Sequence, residues 1–220
     1  MLSIVLALAA SASWGLGDFL GGLTSRRLHV LTVLVVQQVF GLAVALTWVL
    51  LAWDGFLEFM AAELAHPGIR AVVGRFLGDG EIRKALRDLP AAETHHSYAG
   101  GLLEHTVAVS TLVRETAQLH QRLRGDLLLS AALLHDVGRV RELGRGPSFR
   151  PTDEGRLLGH VHLGLRLVEE RTDGLDPAVR AELLHAIAVH HEARGARTAE
   201  AAVLYHANQL DAAAATRPVE

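Results

Sequence analysis

From residue 55 onward, apolar side chains return every three or four positions, the period of a helix with one buried face. Leu102, His105, Val109 and Leu112 share one such stripe, and Leu157, His160, Val161 and Gly164 another. Leu183, Leu184, Ile187 and His191 form a third, flanked by His190, and Leu204, Asn208 and Asp211 adjoin on a fourth. The pattern predicts helices over about 99–123, 125–135, 152–171, 177–191 and 198–215. Two shorter amphipathic helices precede them, over 55–65 and 68–88, with Phe56, Phe59, Met60 and Leu64, then Val72, Val73, Phe76, Ile82 and Leu86 as their apolar positions. Pro67 and Pro90 punctuate them. Asp153 and Glu154 suit the first turn of the helix they open. Asp176 followed by Pro177 reads as an N-cap with proline at the first helical position. No run alternates with period two for long, so the expectation is an all-α bundle.

Residues 1–53 follow a different pattern. They carry three charges, Asp18, Arg26 and Arg27. Residues 30–53 hold no charge over 24 positions, long enough to span a bilayer, and Trp48 and Trp53 suit an interface. Residues 2–22 form a weaker span rich in Gly, Ala and Ser, which lets membrane helices approach closely. Met1-Leu2-Ser3 offers no positive region of the kind a signal peptide needs. The expectation is a transmembrane helical hairpin; a buried hairpin of a soluble protein and a mis-joined reading frame are the other accounts. Ala12-Ser13-Trp14-Gly15 through Leu51 resembles the first two helices of the EamA-type drug/metabolite transporters. Such a transporter needs many more helices, so this stretch would be a fragment unable to transport alone. Arg26 and Arg27 between the spans would sit in the cytoplasm, leaving the C-terminal part outside. The chemistry of that part argues instead for a cytoplasmic catalytic domain anchored to the inner membrane.

Of the 220 residues 13 are His and none is Cys, and eleven of the histidines lie between His95 and His206. There is no disulfide framework and no thiolate zinc site. Any metal must be held by imidazole and carboxylate, which suits Mn, Fe, Ni, Co or Zn. The net charge of −3 gives no general nucleic-acid footprint. A polynucleotide would have to be held by a local patch and the metal.

The centre of the pattern is Leu133-Leu134-His135-Asp136-Val137-Gly138-Arg139, where an apolar helix ends on an adjacent imidazole and carboxylate. Buried unpaired, those groups would cost several kcal/mol, and a divalent cation is one partner that removes the cost. Each of the other helices also brings a ligand-type residue to its apolar stripe. One buried histidine is usually a hydrogen-bonded core residue; the same choice on five helices points to a metal site inside a bundle.

The ordered set His105, His135-Asp136, His160, His190-His191 and Asp211 resembles the HD-domain metal-dependent phosphohydrolases, over about residues 91–215. Within it, the run from His95-His96-Ser97-Tyr98 to Glu104-His105-Thr106 is similar to the HHxYxGGLLEHT signature of the YhaM-type 3′→5′ exoribonucleases. Thr152-Asp153-Glu154-Gly155 before His160, and Asn208-Gln209-Leu210-Asp211-Ala212, fit the same group. A relaxase-associated HD domain shares part of the first signature.

The chain is thus expected to fall into three segments: a hydrophobic pair of helices (1–53), a helical connector packing on the domain (54–90), and the HD phosphohydrolase domain that the resemblance implies (91–220). The resemblance implies one or two divalent ions (Mn, Fe, Ni, Co, Zn or Mg). His105, His135, Asp136 and Asp211 would hold one. Asp136 would bridge to a second, held by His160 and by His190 or His191. Two such cations ~3.5–4 Å apart clamp a phosphate, stabilise the attacking and leaving oxygens and supply hydroxide at neutral pH. Asp136 and Arg139 would be catalytic, Arg139 pairing with a phosphate oxygen. His95 and Tyr98 would contact substrate or brace the site. His162, His185 and His206 are left to packing or support of the ligands, and His29, His66 and His120 have no assigned role.

There are departures from the pattern. The N-terminal OB-fold by which that group grips RNA is not visible in this sequence, Arg139 stands where the family has Lys, and Ala207 stands where it has Asp. The Gly-Tyr-Pro element of cyclic-di-GMP hydrolases is absent after Glu192. The expected activity is exoribonuclease-like hydrolysis of RNA or short oligonucleotides. A mononucleotide phosphohydrolase and a non-catalytic, membrane-tethered nucleotide sensor are the alternatives.

Overall fold

The computed structural model describes residues 55–144 and 149–216, together with positions 31, 32, 35, 36, 38, 39 and 41. The chain divides into two units, Met1–Asp54 and Gly55–Glu220. In the first, the described positions are helical, and Leu31, Val35, Val36 and Val39 are exposed. The expected transmembrane hairpin gains no support. Among the described residues no helix is long and apolar enough to cross a membrane. The expected spans, 2–22 and 30–53, lie almost wholly outside the described residues. A long uncharged stretch satisfies the length a bilayer asks for without requiring a bilayer.

In the second unit the described helices are α1 (55–63), α2 (Pro67–Leu77), α3 (Gly80–Asp88), α4 (Gly101–Leu119), α5 (Gly125–Leu134), α6 (Arg139–Glu142), α7 (Asp153–Glu169), α8 (Pro177–Ala188) and α9 (Ala199–Thr216). A single 3₁₀ turn, Ala193–Gly195, precedes α9. Among the described residues there is no strand, only one antiparallel bridge between Leu143 and Pro151. The all-α expectation holds.

Several boundaries differ from those the periodicity suggests, each for a local reason. The stretch 68–88 is two helices: the Asp79 carboxylate accepts from the Glu81 and Ile82 amides (3.0 and 3.3 Å) and starts α3 afresh. α7 is broken at Gly159 (φ 69°, ψ 162°). The break takes Leu157 off the stripe shared with His160, and Leu157 is 75% exposed. α8 ends at Ala188, so the pair His190-His191 lies in the turn beyond it rather than on its face. Asp176 and Pro177 open α8 as expected, the carboxylate accepting from the Ala178 and Val179 amides.

α5 is the axis of the bundle. Every residue from Leu127 to Leu134 is buried, the signature of a helix enclosed on all sides. α2, α4, α8 and α9 pack around it. At its start, the Arg124 amide donates to the buried Glu200 carboxylate of α9 (2.8 Å). At its end it delivers His135 and Asp136, both buried, to the middle of the bundle.

Candidate metal centre

Two imidazoles are fixed by the same local device. His135 Nδ1 donates to the Ala132 carbonyl (2.7 Å) and His190 Nδ1 to the Ile187 carbonyl (2.6 Å), each three residues back at a helix end. A third is fixed by a carboxylate: His105 Nδ1 donates to Asp211 Oδ2 (2.6 Å). With their protons on Nδ1, all three rings turn an Nε2 lone pair inward. His105 Nε2 and His135 Nε2 face each other at 3.2 Å. Two lone pairs at that distance repel unless a cation lies against both. Burial holds the His135 imidazole well below its usual range; the Asp136 carboxylate opposes this, and the neighbouring His190 and His105 add to it. A shared proton is therefore disfavoured, and a metal ion is the partner the donor set fits.

Asp136 lies between two groups of ligand atoms, each within 4.8 Å of one another: His105, His135 and Asp136, and Asp136, His160, His190 and His191. Its Oδ1 is 3.2 Å from His160 Nε2 and 3.5 Å from His190 Nε2. Its Oδ2 is 3.9 Å from both His105 Nε2 and His135 Nε2. Burial alone would raise this carboxyl; His135, His190, Arg139 and His160 outweigh that and hold it well below the usual range. Asp136 Oδ1 and His190 Nε2 are buried without a hydrogen-bond partner. Such groups are rare in folded proteins and call for a ligand. An anionic oxygen and an imidazole lone pair aimed at one point suit a divalent cation.

His191 is the exposed member of the second group. Its Nε2 lies 2.9 Å from His160 Nε2. Desolvation of the ring and the adjacent His190 push it down to about 3, so it stays neutral at physiological pH.

Asp211 belongs to a third group with His96 and His105. It accepts from His96 Nε2 (3.0 Å) as well as from His105. Asp211 thus lies on the outward nitrogen of His105, and with His96 and His105 it forms a further group of potential ligand atoms. Burial would raise the Asp211 carboxyl, but the His105 and His96 imidazoles hold it low. Carboxylates in this position set the tautomer of a ligating histidine.

Arg139 Nη1 donates to Glu142 Oε2 (2.7 Å), and Arg139 Nε lies 3.8 Å from Asp136 Oδ2, buried and unpartnered. Glu142 Oε1 accepts from the His160 amide (3.1 Å) and lies 3.5 Å from His160 Nδ1. The break at Gly159 leaves that amide without a helical acceptor, so Glu142 caps the restarted helix from outside it.

Tyr98 donates to Glu104 (2.6 Å), and its oxygen lies 3.0 Å from His96 Nδ1. Burial, then the Glu104 carboxylate, push the phenol up to about 12. The His95 ring stands 5.0 Å from that of His105. His95 and Tyr98 therefore border the centre.

Gly138 and Gly101 are two of the positions where close approach requires glycine. A Cβ on Gly138 would lie 1.9 Å from the His160 carbonyl oxygen, and one on Gly101 would lie 2.0 Å from the His96 carbonyl oxygen. His162 and His206 are exposed and join none of these groups. His185 accepts from the Arg197 amide (3.0 Å).

Sequence reasoning missed His96 and Glu142. His96 stood inside the HHxY run, and Glu142 stands three residues after Arg139, one helical turn away.

A helical bundle that converges imidazoles and carboxylates on one buried aspartate defines a metal-dependent hydrolytic centre. The chain belongs to the HD domain family, whose model matches residues 102–213. It is a metal-dependent phosphohydrolase with a divalent metal as cofactor. It is similar to the 3′-5′ exoribonuclease YhaM of Bacillus licheniformis, 31% identical over 159 residues that cover 68% of this chain and 50% of that protein. The YhaM of Bacillus subtilis is 32% identical over the same shares, and that of Oceanobacillus iheyensis 31% identical over 59% of this chain and 41% of its own. The chain spans about half the length of the curated relatives it matches. No solved structure matches it significantly. The transporter likeness of residues 1–53 is not borne out.

Proposed function

We propose that this chain hydrolyses the terminal phosphodiester of RNA or short oligonucleotides, releasing nucleotides from the 3′ end. The observation that carries this reading is Asp136, a buried carboxylate shared by two ligand groups with Arg139 beside it. His105, His135 and Asp136 hold one divalent ion, with Asp211 on the far nitrogen of His105. Asp136, His160, His190 and His191 hold a second. Cations held there supply Lewis-acid charge to the phosphate oxygens and lower the pKa of the attacking water. Arg139 presents its guanidinium to a non-bridging phosphate oxygen. His95 and Tyr98 flank the substrate from the loop before α4. Residues 54–90 act as a connector that packs on the HD domain of 91–220. The naming of the relatives as 3′-5′ exoribonucleases supports the choice of RNA.

The test is incubation of the full chain with Mn and a 5′-labelled oligoribonucleotide. The expected result is stepwise shortening from the 3′ end, lost in Asp136→Ala. An intact strand, with phosphate released from mononucleotides instead, rejects the exonuclease reading.

A further inference from the structure

Beside the metal centre a cleft of ≈ 290 Å³ opens between the loop before α4 and the segment that follows α6. It shares Arg139, and the Glu142 carboxylate that Arg139 grips, with the centre. Its walls include Pro90 and Pro151, among the described residues its one aromatic side chain is Phe149, and Glu93 and Ser97 supply polar atoms. Pro90 is buried; Phe149 is half-buried and lines the cleft.

Three properties narrow the occupant. The volume sits at the floor of the range for small-molecule pockets, about 300–1,000 Å³, enough for one nucleoside and too small for a run of strand. Bases stack on aromatic side chains whatever their sequence. A carboxylate at such a site accepts from ribose hydroxyls and repels phosphate. Since Arg139 Nε is 3.8 Å from Asp136 Oδ2, the cleft begins one side chain away from the metal ligands.

We propose that this cleft receives the 3′-terminal nucleoside of the strand, its base against Phe149 and its ribose hydroxyls toward Glu93, with the phosphodiester on its 5′ side at Arg139. The assignment rests on the exonuclease reading and names what that reading leaves open, the part of the substrate that is recognised. It explains how the site can select an end: the pocket admits one nucleoside carrying free hydroxyls.

The test uses the full chain with Mn and three 5′-labelled strands. One carries all its bases, one is abasic at the 3′-terminal nucleotide, and one is abasic at the next nucleotide inward. Wild type should favour the complete strand over the terminally abasic one by about 5- to 150-fold in kcat/KM, the value of one stacked base. Phe149→Ala should remove that preference, mainly through KM, and Phe149→Tyr should keep it. Phe149→Leu, which retains the apolar bulk, gives the same answer if alanine disturbs folding. A preference that survives in Phe149→Leu overturns the assignment, as does one that follows the inner base. If wild type leaves all three strands intact, the exonuclease reading falls and the occupant with it. If strands are shortened without regard to the terminal base, only this inference falls.

Discussion

Glu142 ties together three parts of the centre: the Arg139 guanidinium, the His160 amide and, at longer range, the His160 ring. Burial would raise its carboxyl, yet His160 and Arg139 hold it low, so it works as an anion. Glu142→Gln keeps the shape and removes that charge. Metal affinity and kcat/KM should both fall about 10–100-fold, as for other groups that support metal ligands, with helix content unchanged by circular dichroism. Unchanged metal titrations would show that Glu142 only caps the restarted helix. Gly138→Ala places a Cβ where the His160 carbonyl already is. It should cost about 1–3 kcal/mol in urea denaturation, in the range of overpacked cores. The clustering of these residues was legible in the sequence because imidazoles and carboxylates on apolar stripes contradict the pattern around them. His96 and Glu142 were not, since their partners come from distant helices: Asp211 of α9 for His96, and the His160 amide of α7 for Glu142. The order of His190 and His191 was also hidden: extending a 3.6 period past Ala188 turns His191 inward, whereas the chain leaves the helix there and buries His190.

Among the elements, α5 and the capped start of α8 follow from the sequence pattern, whereas that pattern reads through the fresh start of α3 at Asp79 as part of one helix over 68–88. The break in α7 does not follow from it either, because an isolated glycine is compatible with a continuous helix and only the demand for an amide at Glu142 makes Gly159 a turning point. α1 is joined to α4 by an ion pair in which Arg114 grips both oxygens of Glu63. The hydrogen bond from Arg114 holds the Glu63 carboxyl below its ordinary value of 4.5. A carboxyl whose folded pKa is depressed adds stability above its unfolded pKa, and that increment disappears as pH falls through the folded value. Glu63→Gln should therefore cost about 0.2–1 kcal/mol at neutral pH, the range of partly exposed pairs. The difference between the two proteins should shrink on acidification below about 4.5 and vanish at lower pH. Paired urea titrations across that range check it; a difference that persists in acid would assign the loss to packing of α1.

For the whole second unit, the metal is a structural element as well as a reagent. The centre draws His105 from α4, His135 and Asp136 from the end of α5, His160 from the restarted α7, and His190 and His191 from the turn after α8. No two of these segments can separate without breaking a ligand group. Without a cation the same convergence brings together lone pairs at 3.2 Å and leaves Asp136 Oδ1 and His190 Nε2 unpartnered. Metal that binds only the folded chain stabilises it by mass action, about 2.7 kcal/mol at a hundredfold excess over Kd. A unit of this size should then lose about 5–10 °C of Tm on treatment with a chelator, and recover it when Mn is restored. Asp136→Ala removes the one side chain common to both groups, so its Tm should be the same with and without chelator, its helix content close to that of wild type, and its turnover lost. If the variant still responds to Mn with the full shift, the ion is held elsewhere on the chain, and the histidines around Asp136 are a packed cluster rather than a metal centre.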